Sequence, residues 1–216
     1  MTVQWKPLAL TPAMVRLIGS IDEFKGRWQT LCALPPGQLA LIRRDSVLAA
    51  AAASRLEGRP VKREELTSLM AQPTASGVDP RAEAMATAYG RTLDTVHALY
   101  DELAPTRHNV VELQRLLCVG TDMENPSPTP EVLDQLDALL LELQGDLAEP
   151  SHHPLISIPL FNLRLLSLHP FPTGNGRLAR ILTTLLMLRA GYGSAACASL
   201  EVAIETHRVR VHRALR

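Results

Sequence analysis

The sequence is short of the residues that build sheets, cross-links and membrane anchors. Aromatic side chains make up 4% of its 216 residues, a poor fit to a β-sandwich or barrel. Its three cysteines, Cys32, Cys118 and Cys197, lie far apart and form no CxxC pair. That argues against a disulfide framework and against a structural zinc site. They read instead as reduced thiols of a cytoplasmic protein. No window reaches about 18 uninterrupted apolar residues, so no membrane span is expected. Met1 to Pro12 holds no apolar run of signal-peptide length. An excess of charge is absent too: 22 Lys and Arg balance 22 Asp and Glu. A strongly basic nucleic-acid binder and an acidic tail protein are both disfavoured.

What is present is helix-forming and apolar. Hydrophobic residues reach 46%, and Leu (37 residues) and Ala (26 residues) dominate. Both have high helix propensity, so the expected fold class is all-α. Thr11-Pro12, Asp79-Pro80 and Thr129-Pro130 each join a capping residue to proline, the pattern of a helix start. Reading on from them gives helices near 12–30, 38–57, 62–71, 80–104, 108–118, 130–148, 154–168, 175–190 and 199–215. In the segment 130–148, Val132, Leu136, Leu139, Leu140 and Leu143 fall on one stripe. Asp134, Asp137, Glu142 and Asp146 take much of the rest, as an amphipathic surface helix requires.

Charge is uneven along the chain. Between Arg115 and Arg164 there are eight acids and no Lys or Arg; from Arg164 onward there are eight Arg and two acids, Glu201 and Glu205. The basic block contains the most unusual segment, His169-Pro170-Phe171-Pro172-Thr173-Gly174-Asn175-Gly176-Arg177-Leu178-Ala179-Arg180. A helix ends near Leu168, and a Leu-rich helix begins after a tight glycine loop. Free N–H groups at a helix start attract anions, and glycine lets an anion approach closely. Arg177 and Arg180, at i and i+3, add two guanidiniums on neighbouring faces. That combination favours a phosphate chain over a single carboxylate. His169 stands in place to act as a base near neutral pH.

This segment resembles the signature of the Fic family, HPFx(D/E)GNGRxxR, at every specified position but one: Thr173 stands where the family has Asp or Glu. His153-Pro154-Leu155-Ile156 resembles the family's HPL(I) helix start, and the stretch from Thr206 to Leu215 resembles its closing helix. The resemblance covers roughly residues 38–216, leaving 1–37 as an N-terminal helical segment. It implies a Fic-fold helical bundle with the active-site loop between two central helices. The activity implied is transfer of AMP from ATP to a Ser, Thr or Tyr hydroxyl of a target protein or of the chain itself. His169 would be the general base and Phe171, after Pro170, the core anchor of the loop. Gly174, Asn175 and Gly176 would hold the phosphates, with Arg177 and Arg180 on the β and γ phosphates.

Upstream, Ser54-Arg55-Leu56-Glu57-Gly58 resembles the inhibitory motif (S/T)xxxE(G/N) of self-inhibited members, with Ala53 at the usual Ser/Thr place. In that reading Glu57 pairs with Arg180 and occupies the γ-phosphate site, and 38–57 is an inhibitory helix. Thr173 weakens the expected Mg²⁺ site, because a neutral hydroxyl is a poor ligand for this dication. A second departure is the short bridge from Val119 to Pro128, where relatives carry a β-hairpin flap that aligns the target. Two further readings follow: a nucleotide-binding pseudoenzyme or interaction module, and a transferase with a different donor. The expected partners are a nucleotide, a target protein and, as a candidate, a second copy of the chain. Trp5, Phe24 and Trp28 are expected to pack the N-terminal segment onto the core.

Overall fold

The computed structural model describes residues 9–31, 36–53, 80–121, 127–148 and 152–214. They form α1 (Pro12–Leu31), α2 (Pro36–Ala53), α3 (Pro80–Leu99), α4 (Arg107–Cys118), α5 (Pro130–Ala148), α6 (Pro154–Leu168) and α7 (Asn175–Arg189). A 3₁₀ turn, Gly193–Ala196, leads to α8 (Leu200–Thr206) and α9 (Arg208–Ala214). Among the described residues no strand occurs, and the fold is all-α as expected. The expected helix at 62–71 and the residues Ser54, Glu57 and Gly58 lie outside the described residues, as does Trp5.

Helix α7 is the hub. It packs on α3, α4, α6, α8 and the 3₁₀ turn. Leu178, Ile181, Leu182, Leu185 and Leu186 are all buried, as a helix surrounded on most sides demands. Tyr89, Val110, Leu113, Leu117, Leu136, Leu140, Ile158, Phe161, Leu165 and Phe171 complete one continuous core. Helix α5 buries Leu136, Leu140 and Leu143. Its acids meet cations of its neighbours: Asp137 receives Arg107 of α4, and Glu142 pairs with Arg164 of α6. The lopsided charge blocks are therefore partly tied to each other across helices.

Two element boundaries differ from the sequence reading. Helix α3 stops at Leu99, five residues early. Arg189, at the end of α7, donates through Nη1 to the carbonyls of Tyr100 (2.8 Å) and Asp101 (2.9 Å). A distant cation thus satisfies carbonyls that a longer helix would have satisfied itself. The single helix expected at 199–215 is broken at His207 into α8 and α9. There the Thr206 hydroxyl bonds the Val202 carbonyl, and the His207 ring meets that of Ala203. Side chains compete for carbonyls of the last turn and favour its end.

Helix α1 lies against the 3₁₀ turn. Lys25 donates through Nζ to the Ala190 carbonyl at 2.8 Å and sits 4.3 Å over the Tyr192 ring. The cation thus caps the C-terminus of α7, where the helix dipole favours it. Tyr192 donates to Asp22 at 2.6 Å, and the other oxygen of Asp22 meets His153 Nε2 at 2.9 Å. The Tyr192 hydrogen bond, ahead of the His153 contact, holds the Asp22 carboxyl below its usual range. Of the expected aromatic anchors, Trp28 reaches the domain near Gly193. Phe24 stacks beside Trp28 and remains about half exposed.

Candidate functional site

Helix α6 ends on His169, whose φ of 51° and ψ of 56° are left-handed. It is the only non-glycine residue with positive φ among the described residues. This conformation is uncommon for a residue with a Cβ, although His is enriched there. The His169 N–H bonds the Leu165 carbonyl at 3.0 Å, which closes α6. The reversal leaves the imidazole exposed and turns Pro170 and Phe171 inward.

The loop that follows is held from within. Phe171 is buried. Its N–H donates to Asn175 Oδ1 at 3.1 Å, and the Asn175 amide donates back to the Phe171 carbonyl. Both backbone groups of Phe171 are thereby satisfied without solvent. The Asn175 side chain therefore clamps the loop rather than reaching outward. Gln114, buried on α4, donates through Nε2 to the Thr173 carbonyl at 2.9 Å. Gly174 has φ 79°, a conformation glycine adopts without steric cost. A Cβ there would stand 3.1 Å from Gln114 Nε2 and 3.4 Å from an Arg177 nitrogen. Glycine is thus favoured by the backbone angle, and a Cβ would press on the Gln114 amide.

Gly174 caps α7 with no side-chain hydrogen bond. The amides of Asn175 and Gly176, in the first turn of α7, have no acceptor within the helix. Two guanidiniums belong to the same turn. Arg177 is buried, with 1% of its surface exposed. Arg180 is partly buried, and its guanidinium carbon stands 5.7 Å over the Tyr89 ring centroid. The Tyr89 hydroxyl donates to Glu201, and Ser199 donates to the other Glu201 oxygen at 3.0 Å. Burial, then the charge of Glu201, pushes the Tyr89 hydroxyl well above its ordinary pKa, so it stays a donor. The arrangement suits an anionic group carrying several negative charges.

Of the residues singled out in the sequence, His169, Phe171, Gly174, Asn175, Gly176, Arg177 and Arg180 fall in one loop and the helix turn after it. Thr173 has an exposed side chain. No group of three or more His, Cys, Asp or Glu able to hold a metal occurs among the described residues. With a neutral hydroxyl at 173, the donor set here does not fit a protein-held Mg²⁺. Tyr89, Gln114 and Glu201 are the site residues the sequence reading missed. Two of them carried a signal: Tyr89 is one of three tyrosines, and Glu201 is one of two acids in the basic block.

Residues 92–187 match the sequence profile of the Fic/DOC family. The match covers 96 of the chain's 216 residues. A Fic family protein from Desulfovibrio desulfuricans G20 superposes with a TM-score of 0.74 at 23% identity, over 98% of this chain and 68% of that one. A Fic domain containing signaling protein from Bacteroides thetaiotaomicron VPI-5482 gives 0.65 at 21% identity, over 80% of this chain and 73% of that one. Fic-1 from C. elegans gives 0.70 at 19% identity, over 94% of this chain and 66% of that one. At these identities the likeness speaks for the Fic fold. No curated protein matches the chain. Among the described residues no helix is long and apolar enough to cross a membrane.

Proposed function

We propose that this Fic domain is a self-inhibited nucleotidyltransferase that moves AMP from ATP to a Ser, Thr or Tyr hydroxyl of a target protein or of itself. The observation that carries the reading is the pairing of an exposed His169 with the uncapped start of α7 and two arginines. His169 takes the proton from the attacking hydroxyl. The hydroxyl oxygen bonds to the α phosphorus, and the bond from that phosphorus to the bridging oxygen breaks, releasing pyrophosphate. The amides of Asn175 and Gly176, with Arg177 and Arg180, bear the phosphate charge. Transfers of this kind depend mainly on positioning and charge stabilisation. Fixing the loop through Asn175 and Gln114 before the nucleotide arrives lowers the cost of ordering it on binding.

Restraint belongs to the same reading. Glu57 pairs with Arg180 and excludes the γ phosphate. The packing of α2 on α3 and α8 supports it, since those helices carry Tyr89 and Glu201 around Arg180. A second reading, nucleotide binding without AMP transfer or with another donor, is favoured by one observation, the neutral side chain at Thr173.

The test uses the Glu57→Gly protein, Mg²⁺ and ATP labelled on the α phosphate. Covalent label on the protein or on lysate proteins, lost in Glu57→Gly/His169→Ala, is the expected result. A folded Glu57→Gly protein that binds ATP and transfers no label would move the conclusion to the second reading.

A further inference from the structure

We propose that Tyr89 and Glu201 are positioning residues for Arg180, holding its guanidinium toward the phosphate site. Neither residue belongs to the glycine loop or to the turn that follows it. Tyr89 comes from α3 and Glu201 from the first turn of α8, 112 positions apart in sequence. Both are buried, with 0% and 1% of their surface exposed. A buried carboxylate is costly unless its oxygens are engaged. Here Tyr89 engages one oxygen and Ser199 the other, so Glu201 is fully occupied and Tyr89 is fixed in rotation.

The consequence falls on Arg180. Its guanidinium lies over the fixed ring, and a cation over an aromatic face is attracted by the ring quadrupole. Its Nε and Nη2 are buried and have no hydrogen-bond partner among the described residues. Buried donors without partners are rare and call for an explanation. The contact with Tyr89, which includes a hydrogen bond to its hydroxyl, and the longer-range attraction of the Glu201 charge hold the arginine and still leave Nε and Nη2 unused. Those donors remain for an acceptor that arrives with the ligand once Glu57 is removed or displaced. A direct Arg180–Glu201 pair would have consumed them. Tyr89 and Ser199 take the two Glu201 oxygens instead.

The inference rests on the proposed nucleotide reading, and its test separates the two. Calorimetry on the full-length Glu57→Gly protein would give affinities for ATP and for AMP. Arg180 is assigned to the outer phosphates, so Arg180→Ala should weaken ATP by about tenfold and leave AMP unchanged. Tyr89→Leu should reduce the ATP-to-AMP affinity ratio by about the same factor. Tyr89→Phe, which keeps the ring and releases the link to Glu201, should reduce it by about threefold, as should Glu201→Gln. A purely structural defect would weaken both nucleotides together. If Arg180→Ala does not change the ratio, the nucleotide reading of Arg180 fails and this inference with it. If Arg180→Ala lowers the ratio while folded Tyr89→Leu, Tyr89→Phe and Glu201→Gln proteins keep it, the positioning role alone is overturned.

Discussion

The 169–176 loop and helix α1 are fastened by opposite means. The loop is held from beneath, by a buried phenyl ring, a reciprocal amide clamp through Asn175 and the buried amide of Gln114. Helix α1 is held at its rim by Asp22, Lys25 and Trp28, which themselves stay partly wet where they meet the domain. Contacts sealed from water are costly to break, because each partner left behind stays desolvated. Contacts open to water are replaced by water at little cost. The difference predicts that damage to the loop is global and damage to the α1 contacts is local.

The harshest way to test the contrast is Phe171→Ala. A cavity beneath the loop should cost about 3–5 kcal/mol, read as a large fall in the denaturation midpoint. A loss under about 1 kcal/mol, near what an exposed contact is worth, would show that the loop is not anchored from below.

A buried group outside the loop asks whether the rule is general. His97 on α3 is 9% exposed, and both its ring nitrogens lack hydrogen-bond partners among the described residues. Burial first, and then the charge of Arg43, lower its pKa to about 4. The unfolded chain protonates this histidine near its ordinary value of about 6.5. Between those values the unfolded state binds the extra proton. Stability is therefore full above about pH 6.5 and falls as the pH drops toward 4, by up to about 3 kcal/mol. Urea titrations from pH 7 to 4 should show this slope, and His97→Leu should flatten it. An unchanged slope in that variant would place the effect elsewhere.

Asn175→Ala comes next. It strands the N–H and carbonyl of Phe171 and should cost about 2 kcal/mol, measured by chemical denaturation. A neutral result would mean that water reaches the loop interior. The smallest effect is expected for Asp22→Ala, which removes the Tyr192 and His153 contacts together. Amide exchange in α1 should accelerate by the equivalent of about 1 kcal/mol. The midpoint for the whole domain should hardly move. A cooperative fall of that midpoint would mean that α1 is part of the core.

The same contrast explains what could be read from the sequence. The loop was legible because its parts are contiguous: His169 to Arg180 states the helix end, the glycine turn and the cations within twelve residues. The amphipathic stripe of α5 was legible for a similar reason, since helix periodicity is local. The role of the Asn175 side chain was not, because an inward and an outward asparagine look alike in a motif. The Tyr89–Glu201 brace and the Lys25–Ala190 contact join residues 112 and 165 positions apart, and no local pattern announces such pairs. The early end of α3 was missed for the same reason, since its carbonyls are satisfied by Arg189 from across the fold.

The most direct measurement is the ATP affinity of the Glu57→Gly protein carrying either Asn175→Ala or Asp22→Ala, at a temperature where both are folded. If the inward clamp shapes the phosphate site, Asn175→Ala weakens ATP by about tenfold. Asp22→Ala, remote from the loop, leaves the affinity within about twofold. Equal ATP affinity in the two proteins would contradict the account, because the loop would then bind phosphate without the clamp that holds it.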